Sequence, residues 1–113
     1  TINGGQQTRD FIYVKDVVNI IYSAIILASK NSICEISNVL TGKSITIDEL
    51  AEIMMKIIDF NAEINYQSLP LGDPAQSNGS SKKMTKLFKI ELDKFTKLDK
   101  GLVNTVQFFL KEH

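Results

Sequence analysis

The sequence has no tryptophan, two prolines, one cysteine, one histidine and one arginine in 113 residues, and each scarcity excludes something. One cysteine, Cys34, set between Ile33 and Ile36, leaves no internal disulfide and no multi-cysteine zinc site, and a reducing, cytoplasmic setting follows most simply. The lone histidine, His113, is the last residue, where chains fray, so neither a Ser-His-Asp triad nor a histidine metal site is expected. Glycine occurs in Asn3-Gly4-Gly5 and Asn78-Gly79, without the G-x-G-x-x-G spacing or the strand-to-helix turn of a dinucleotide cradle, and no P-loop occurs. Asn78-Gly79-Ser80 matches a glycosylation acceptor, which in a disulfide-free chain reads as chance. Charge of one sign is missing too: 13 Lys+Arg balance 13 Asp+Glu, which removes the electrostatic drive toward nucleic acid or an anionic membrane. The longest apolar run, Ala24 to Ala28, falls far short of the ~20 residues of a membrane helix, and no charged leader precedes a cleavage-like site.

What is present is the composition of one soluble globular domain over residues 1–113, with 43% hydrophobic and 23% charged residues. The chain opens at Thr1, inside what reads as the end of a strand, so a longer parent is expected. The pattern predicts a short extended piece, a turn at Asn3-Gly4-Gly5, and a strand at Phe11-Ile12-Tyr13-Val14. Asp16 is the expected cap of a helix through Val17, Val18, Ile20, Ile21, Ala24, Ile25, Leu27 and Ala28, buried on most of its face. A strand is expected over 33–39, before the Thr41-Gly42-Lys43 turn. Thr46 and Glu49 form a T-x-x-E capping box ahead of Ile47, Leu50, Ala51, Ile53, Met54, Ile57 and Ile58 at helical spacing. A strand from Glu63 to Tyr66 leads into a loop holding Pro70 and Pro74, then Ser80 or Ser81 opens a short basic helix ending near Phe88. Thr96 with Asp99 starts a last helix carrying Leu98, Leu102, Val103, Val106, Phe109 and Leu110.

Arg9 is the informative side chain. A guanidinium is a planar fork that grips phosphate or carboxylate bidentately, and its retention in a chain that otherwise uses lysine indicates a geometric need. The blander alternative is an ion pair with Asp10 or Asp16. Phe11 and Tyr13 read equally well as strand core, Met54-Met55 as packing, and Lys82, Lys83, Lys86 and Lys89 as a solvated helix face.

The run Gly5-Gln6-Gln7-Thr8-Arg9-Asp10-Phe11-Ile12-Tyr13-Val14-Lys15-Asp16-Val17-Val18 resembles the G-x-x-x-R-D-[FY]-[IV]-[YH]-V-x-D-V segment of the NAD-dependent epimerase/dehydratases, the extended short-chain dehydrogenase/reductases. The resemblance continues through Ile36-Ser37-Asn38, Thr41 to Ala51, Leu71-Gly72-Asp73-Pro74, Ser81-Lys82 and Leu102 to Phe109, in order along nearly the whole chain. It implies an α/β fold of short strands and about four helices: the smaller C-terminal, substrate-binding part of such an enzyme, without its Rossmann domain. The Tyr-x-x-x-Lys pair is absent, since Tyr13, Tyr22 and Tyr66 each lack a lysine four residues later.

By this resemblance Arg9 grips the diphosphate of a nucleotide-diphosphate sugar, Phe11 lies against the nucleotide and Asp73 accepts hydrogen bonds from its ribose. No catalytic, cofactor-binding or metal-binding residue is implied on this chain. NAD belongs to the parent's own N-terminal Rossmann domain, which becomes this segment's partner and also carries the usual homodimer surface. The isolated chain is expected to be inactive. The implied function is the nucleotide-sugar-binding portion of an epimerase or dehydratase in carbohydrate and polysaccharide biosynthesis; a reductase or decarboxylase of the same family, or a non-catalytic binding module, are the alternatives. Two positions depart from the pattern. Pro70 stands where many relatives have a second phosphate-binding arginine, so Lys82 or Lys83 would have to replace it, and Gly79 stands where the aspartate of D-x-S-K belongs.

Overall fold

The computed structural model describes residues 1–31 and 34–111, and the expectations for Ile33 and His113 lie outside them. In chain order the elements are β1 (Ile2–Asn3), β2 (Thr8–Asp10), α1 (Val14–Lys30), β3 (Ser44–Thr46), α2 (Ile47–Ile58), β4 (Tyr66–Gln67), α3 (Lys82–Phe88), a 3₁₀ turn (Leu92–Lys94) and α4 (Leu98–Lys111). This is the small mixed α/β domain of four helices and short strands that the sequence implied. Two separate two-stranded ladders form: β1 runs parallel to β4, and β2 runs antiparallel to β3 with Thr8 opposite Thr46, Arg9 opposite Ile45 and Asp10 opposite Ser44. The free edge of β2 is covered by the proline loop. Thr8 N–H donates to Ala75 O at 3.0 Å, and Ser77 N–H donates to Thr8 O at 3.3 Å.

Helix α2 starts where the capping box places it. Thr46 Oγ1 accepts from Glu49 N–H at 3.0 Å, and Glu49 Oε2 accepts from Thr46 N–H at 2.8 Å, so two backbone donors at the helix start are satisfied reciprocally. Asp59 closes the helix in the left-handed conformation, φ 50°. The amphipathic face of α2 packs on α4, and α1 packs on α3. Helix α3 begins directly after Ser81 and ends at Phe88, as expected.

Several expectations are corrected. The strand expected at 11–14 lies at Thr8–Asp10 instead, because the ladder with β3 ends at Asp10 and the Tyr13 carbonyl already accepts from Asp16 and Val17, which turns the chain into α1 at Val14. Asp16 therefore sits inside the first turn and is not the cap. Its carboxylate reaches across the fold and accepts from Thr96 N–H at 2.9 Å, so Thr96 anchors the segment before α4, which starts at Leu98. The later strand of the sequence reading forms at Tyr66–Gln67, the residues that pair with β1. Residues 34–40 have no regular structure, since no described strand lies alongside to complete a ladder, and Ile36 is 86% exposed.

The largest correction concerns α1. Among its residues only Ile20 is buried, while Val14, Val18, Ile21, Tyr22 and Ile25 form an exposed apolar stripe at i, i+4, i+7, i+8 and i+11. The last helix behaves likewise at its end, where Phe108, Phe109 and Leu110 are exposed. Among the described residues the buried apolar core is correspondingly small: Ile20, Leu40 and Met84, the last fully enclosed.

With so small a core, a helix cap carries a large share of the stability. Thr46→Ala is expected to destabilise the fold by about 0.5–2 kcal/mol, seen as a lower midpoint in urea unfolding followed by circular dichroism. Ser29→Ala, on the exposed end of α1, should leave the midpoint within error.

Candidate functional site

The β2–β3 ladder organises the site. Residues directly opposite in an antiparallel pair project to the same face, so Arg9 and Ile45 share one side, and Phe11, two residues beyond Arg9, returns to it. Phe11 and Ile45 line a cavity of about 270 Å³ between the ladder and the segment leading into α4. Leu92, Phe95 and Leu98 complete its apolar wall, and Lys43, Asp93 and Lys97 add charged groups. A flat aromatic beside branched aliphatics, with cations close by, suits a planar ring carrying an anionic substituent.

Arg9 is held at the end of this face. Its Nη1 donates to Thr8 O at 2.8 Å and Pro74 O at 2.9 Å, and its Nη2 donates to Asp73 Oδ1 at 2.6 Å. The ion pair expected as the alternative thus forms with Asp73, and neither Asp10 nor Asp16 takes part. Asp73 is presented by a tight turn, in which its N–H donates to Pro70 O at 3.1 Å and Gly72 takes φ 90°, a value that favours glycine. A guanidinium carries five N–H donors, so Nε–H and a second Nη2–H remain after these three bonds. The structure therefore brings Arg9 and Asp73 together, with Phe11 in the adjoining cavity, whose lining includes neither of them.

Asp10, offered by the sequence only as a partner for arginine, does something else. Its carboxylate accepts from Thr41 N–H (3.0 Å), Thr41 Oγ1–H (2.7 Å) and Gly42 N–H (2.7 Å), and Gly42 adopts φ 77°. This clamps the 41–43 turn onto β2 and sets Lys43 beside Phe11. Lys82 and Lys83, expected to stand in for the missing arginine, lie on α3 outside the cavity lining. Lys83 Nζ pairs with Glu35 Oε2 at 2.8 Å, and its hydrogen bond and positive charge hold the Glu35 carboxyl below the usual range. Tyr13 is packing: its ring lies against buried Gly101, whose Cβ position is 3.4 Å from the ring.

The glycine turn at 4–5 does not suit a dinucleotide. Gly5 N–H donates to the Gln7 side chain at 2.6 Å, and the space a Cβ would take at Gly5 is occupied by the Asp48 carboxylate, an anion where a pyrophosphate would need to sit. The turn also leads into a strand, not a helix. Among the described residues no cluster of His, Cys, Asp or Glu could hold a metal ion.

No family model matches the chain. A curated relative, the probable GDP-L-fucose synthase 1 of Oryza sativa subsp. japonica, is 30% identical over 108 residues, 95% of this chain and 31% of its own. Among solved structures, UDP-N-acetylglucosamine 4-epimerase from Methanobrevibacter ruminantium M1, in complex with UDP-N-acetylmuramic acid, matches all of this chain and 34% of its own at 30% identity, TM-score 0.80. UDP-glucuronic acid 4-epimerase from Bacillus cereus, in complex with UDP-glucuronic acid and NAD, shares the fold with a TM-score of 0.85 over 99% of this chain and 35% of its own, at 24% identity. The class is thus the mixed α/β piece that makes up about a third of such enzymes. These similarities point to the NAD-dependent epimerase/dehydratase family, and the chain spans about a third of the length of the relatives it matches.

The clamp is the part of the site with the clearest energetic signature. Asp10→Ala should cost about 1.5–3 kcal/mol, as expected for hydrogen bonds to a charged group that leave part-buried donors unpaired. Asp73→Ala, which removes only a partly exposed ion pair, should cost about 0–1 kcal/mol. Urea unfolding of both variants orders them; equal losses would show that the 41–43 turn does not depend on Asp10.

Proposed function

We propose that the Arg9–Phe11 face binds the nucleotide diphosphate of a nucleotide sugar, as the substrate-binding portion of an epimerase or dehydratase longer than these 113 residues. The observation that carries this reading is the ladder register: Arg9 and the cavity-lining Ile45 are directly opposite, so a fork of phosphate donors and an apolar slot adjoin on one face. The base lies against Phe11 and Ile45. The free guanidinium donors of Arg9 take phosphate oxygens, and the Asp73 oxygen outside the Arg9 pair accepts from the ribose hydroxyls. Arg9 can do this without releasing its backbone partners, because those bonds use other N–H groups.

NAD, when bound to the parent, supplies the acceptor for a hydride from the sugar ring. The described residues do not fit that cofactor, so its site lies in the remainder of the parent. This remainder is also the partner for the exposed α1 stripe, Val14, Val18, Ile21, Tyr22 and Ile25, a surface whose apolar pattern suits packing against another element. No described helix is long and apolar enough to cross a membrane, and we place the parent in the cytoplasm on the basis of its substrate class.

Two outcomes test this reading. The 113-residue chain titrated with NAD in a calorimeter should give no binding isotherm, and a clear micromolar isotherm would contradict it. In the parent, Arg9→Lys keeps the charge and loses the fork, so nucleotide-sugar affinity should fall by about 1.5–3 kcal/mol with NAD affinity unchanged. Unchanged substrate affinity with a shifted melting midpoint would instead make Arg9 purely a brace for the proline loop.

A further inference from the structure

By the family resemblance Pro70 stands where a second phosphate-binding arginine is expected, and the lysines of α3 do not line the Phe11 cavity, Lys83 being paired with Glu35. Another cation does. Lys43 lines the same cavity as Phe11 and Ile45, and it precedes β3 by one residue, just beyond the last ladder pair, Asp10 with Ser44. Lys43 is two residues from Ile45, the residue opposite Arg9; such diagonal neighbours are ~7–8 Å apart, and long side chains reach across that gap. A guanidinium and an ammonium at that separation can each take one phosphate of a diphosphate.

The backbone at Lys43 is held for the purpose. Its N–H donates to Thr41 Oγ1 at 3.1 Å, and that hydroxyl donates in turn to the Asp10 carboxylate at 2.7 Å. No salt bridge forms between the Lys43 ammonium and any described carboxylate, in contrast to Lys83 with Glu35 and Lys94 with Glu91. Lys97 lines the cavity as well and likewise forms no salt bridge with a described carboxylate, but it lies in the segment before α4 and not beside the ladder that carries Arg9.

We propose that Lys43 is the second phosphate-binding cation of this site, replacing the arginine that Pro70 displaces; this rests on the reading of the Arg9–Phe11 face as a nucleotide site. Its ammonium is a point charge with three donors, so it favours phosphate without fixing orientation, which Arg9 supplies.

The test measures UDP and GDP binding to the parent by calorimetry, with uridine and guanosine as uncharged probes, for wild type, Arg9→Lys, Lys43→Met and Lys83→Met. Lys43→Met should weaken the nucleoside diphosphate that binds by roughly tenfold or more, the loss expected of a charge-assisted hydrogen bond, and shift nucleoside affinity less than about twofold. Lys83→Met should change neither. Diphosphate affinity retained in Lys43→Met but lost in Arg9→Lys overturns the Lys43 assignment and leaves the nucleotide site standing. Equal losses of nucleoside and diphosphate would mean that Lys43 shapes the cavity only, which also overturns it. If wild type binds neither diphosphate, or Arg9→Lys has no effect, the nucleotide site itself fails and Lys43 with it.

Discussion

The Asp10 carboxylate is the constraint on which the rest of the site depends. It is the last residue of β2, and with three donors from Thr41 and Gly42 it ties the start of β3 to the end of β2. Without that tie the two strands share only a three-residue register, far less than an isolated ladder needs to persist in water. With it, the register places Arg9 opposite Ile45 and directs both to the face that carries Phe11. The same chain of contacts continues into α2, because Thr46 is at once the last residue of β3 and the N-cap of that helix. Asp16 performs a parallel task at the other wall of the cavity, holding Thr96 next to the ladder. Two adjacent stretches of β2 and α1 thus fix two distant segments through carboxylates, and the cavity is the space left between them.

Polar clamps matter here because apolar burial is so limited. Three buried apolar residues and a 17-residue helix with an open stripe describe a fold whose hydrophobic surface is only partly used internally. Exposed apolar side chains scattered over a surface need no explanation, but five in helical register on α1 do. Neighbouring residues 34–40, which read as a strand and find no partner strand among the described residues, point the same way. Both belong to the segment between β2 and β3, and the stripe begins at Val14, which shares a cavity lining with Phe11.

Local signals were legible in the sequence where they are self-contained. The Thr46/Glu49 box and the Ser81 start of α3 each depend on residues within a few positions, and each forms where those residues place it. Strand positions were misplaced because pairing, not propensity, decides them: Phe11-Ile12-Tyr13-Val14 has the better β composition, yet the ladder goes to Thr8–Asp10, where β3 and the proline loop supply partners on both edges. The burial of α1 was misjudged for a related reason, since periodicity shows that a helix has an apolar face without showing that anything covers it. Among the site residues, Arg9 was visible as the only arginine, and Asp73 entered through the family resemblance. Asp10 was in plain view, but only the 31-residue separation of Asp10 from Thr41, closed in space, gives it its role as a clamp.

If Arg9 takes phosphate as proposed, the Arg9–Asp73 pair poses the remaining physical question, because a carboxylate beside the guanidinium weakens its hold on an anion. Both side chains are partly exposed, at 24% and 37%, so the pair itself is worth only about 0–1 kcal/mol. Its larger effect is geometric. Asp73 and the Pro74 carbonyl hold the guanidinium from one side, which lowers the conformational entropy that a free arginine would lose on gripping a ligand. The two remaining N–H groups belong to a guanidinium whose plane is already fixed by three bonds, which is the preorganised fork the proposed diphosphate would need. The cost is a net charge too low for a dianionic group at that end of the face, since Asp73 cancels Arg9. On the proposed reading Lys43, one residue before β3, supplies the second positive charge, which makes the ladder register, and hence Asp10, as necessary to the electrostatics of the site as to its shape.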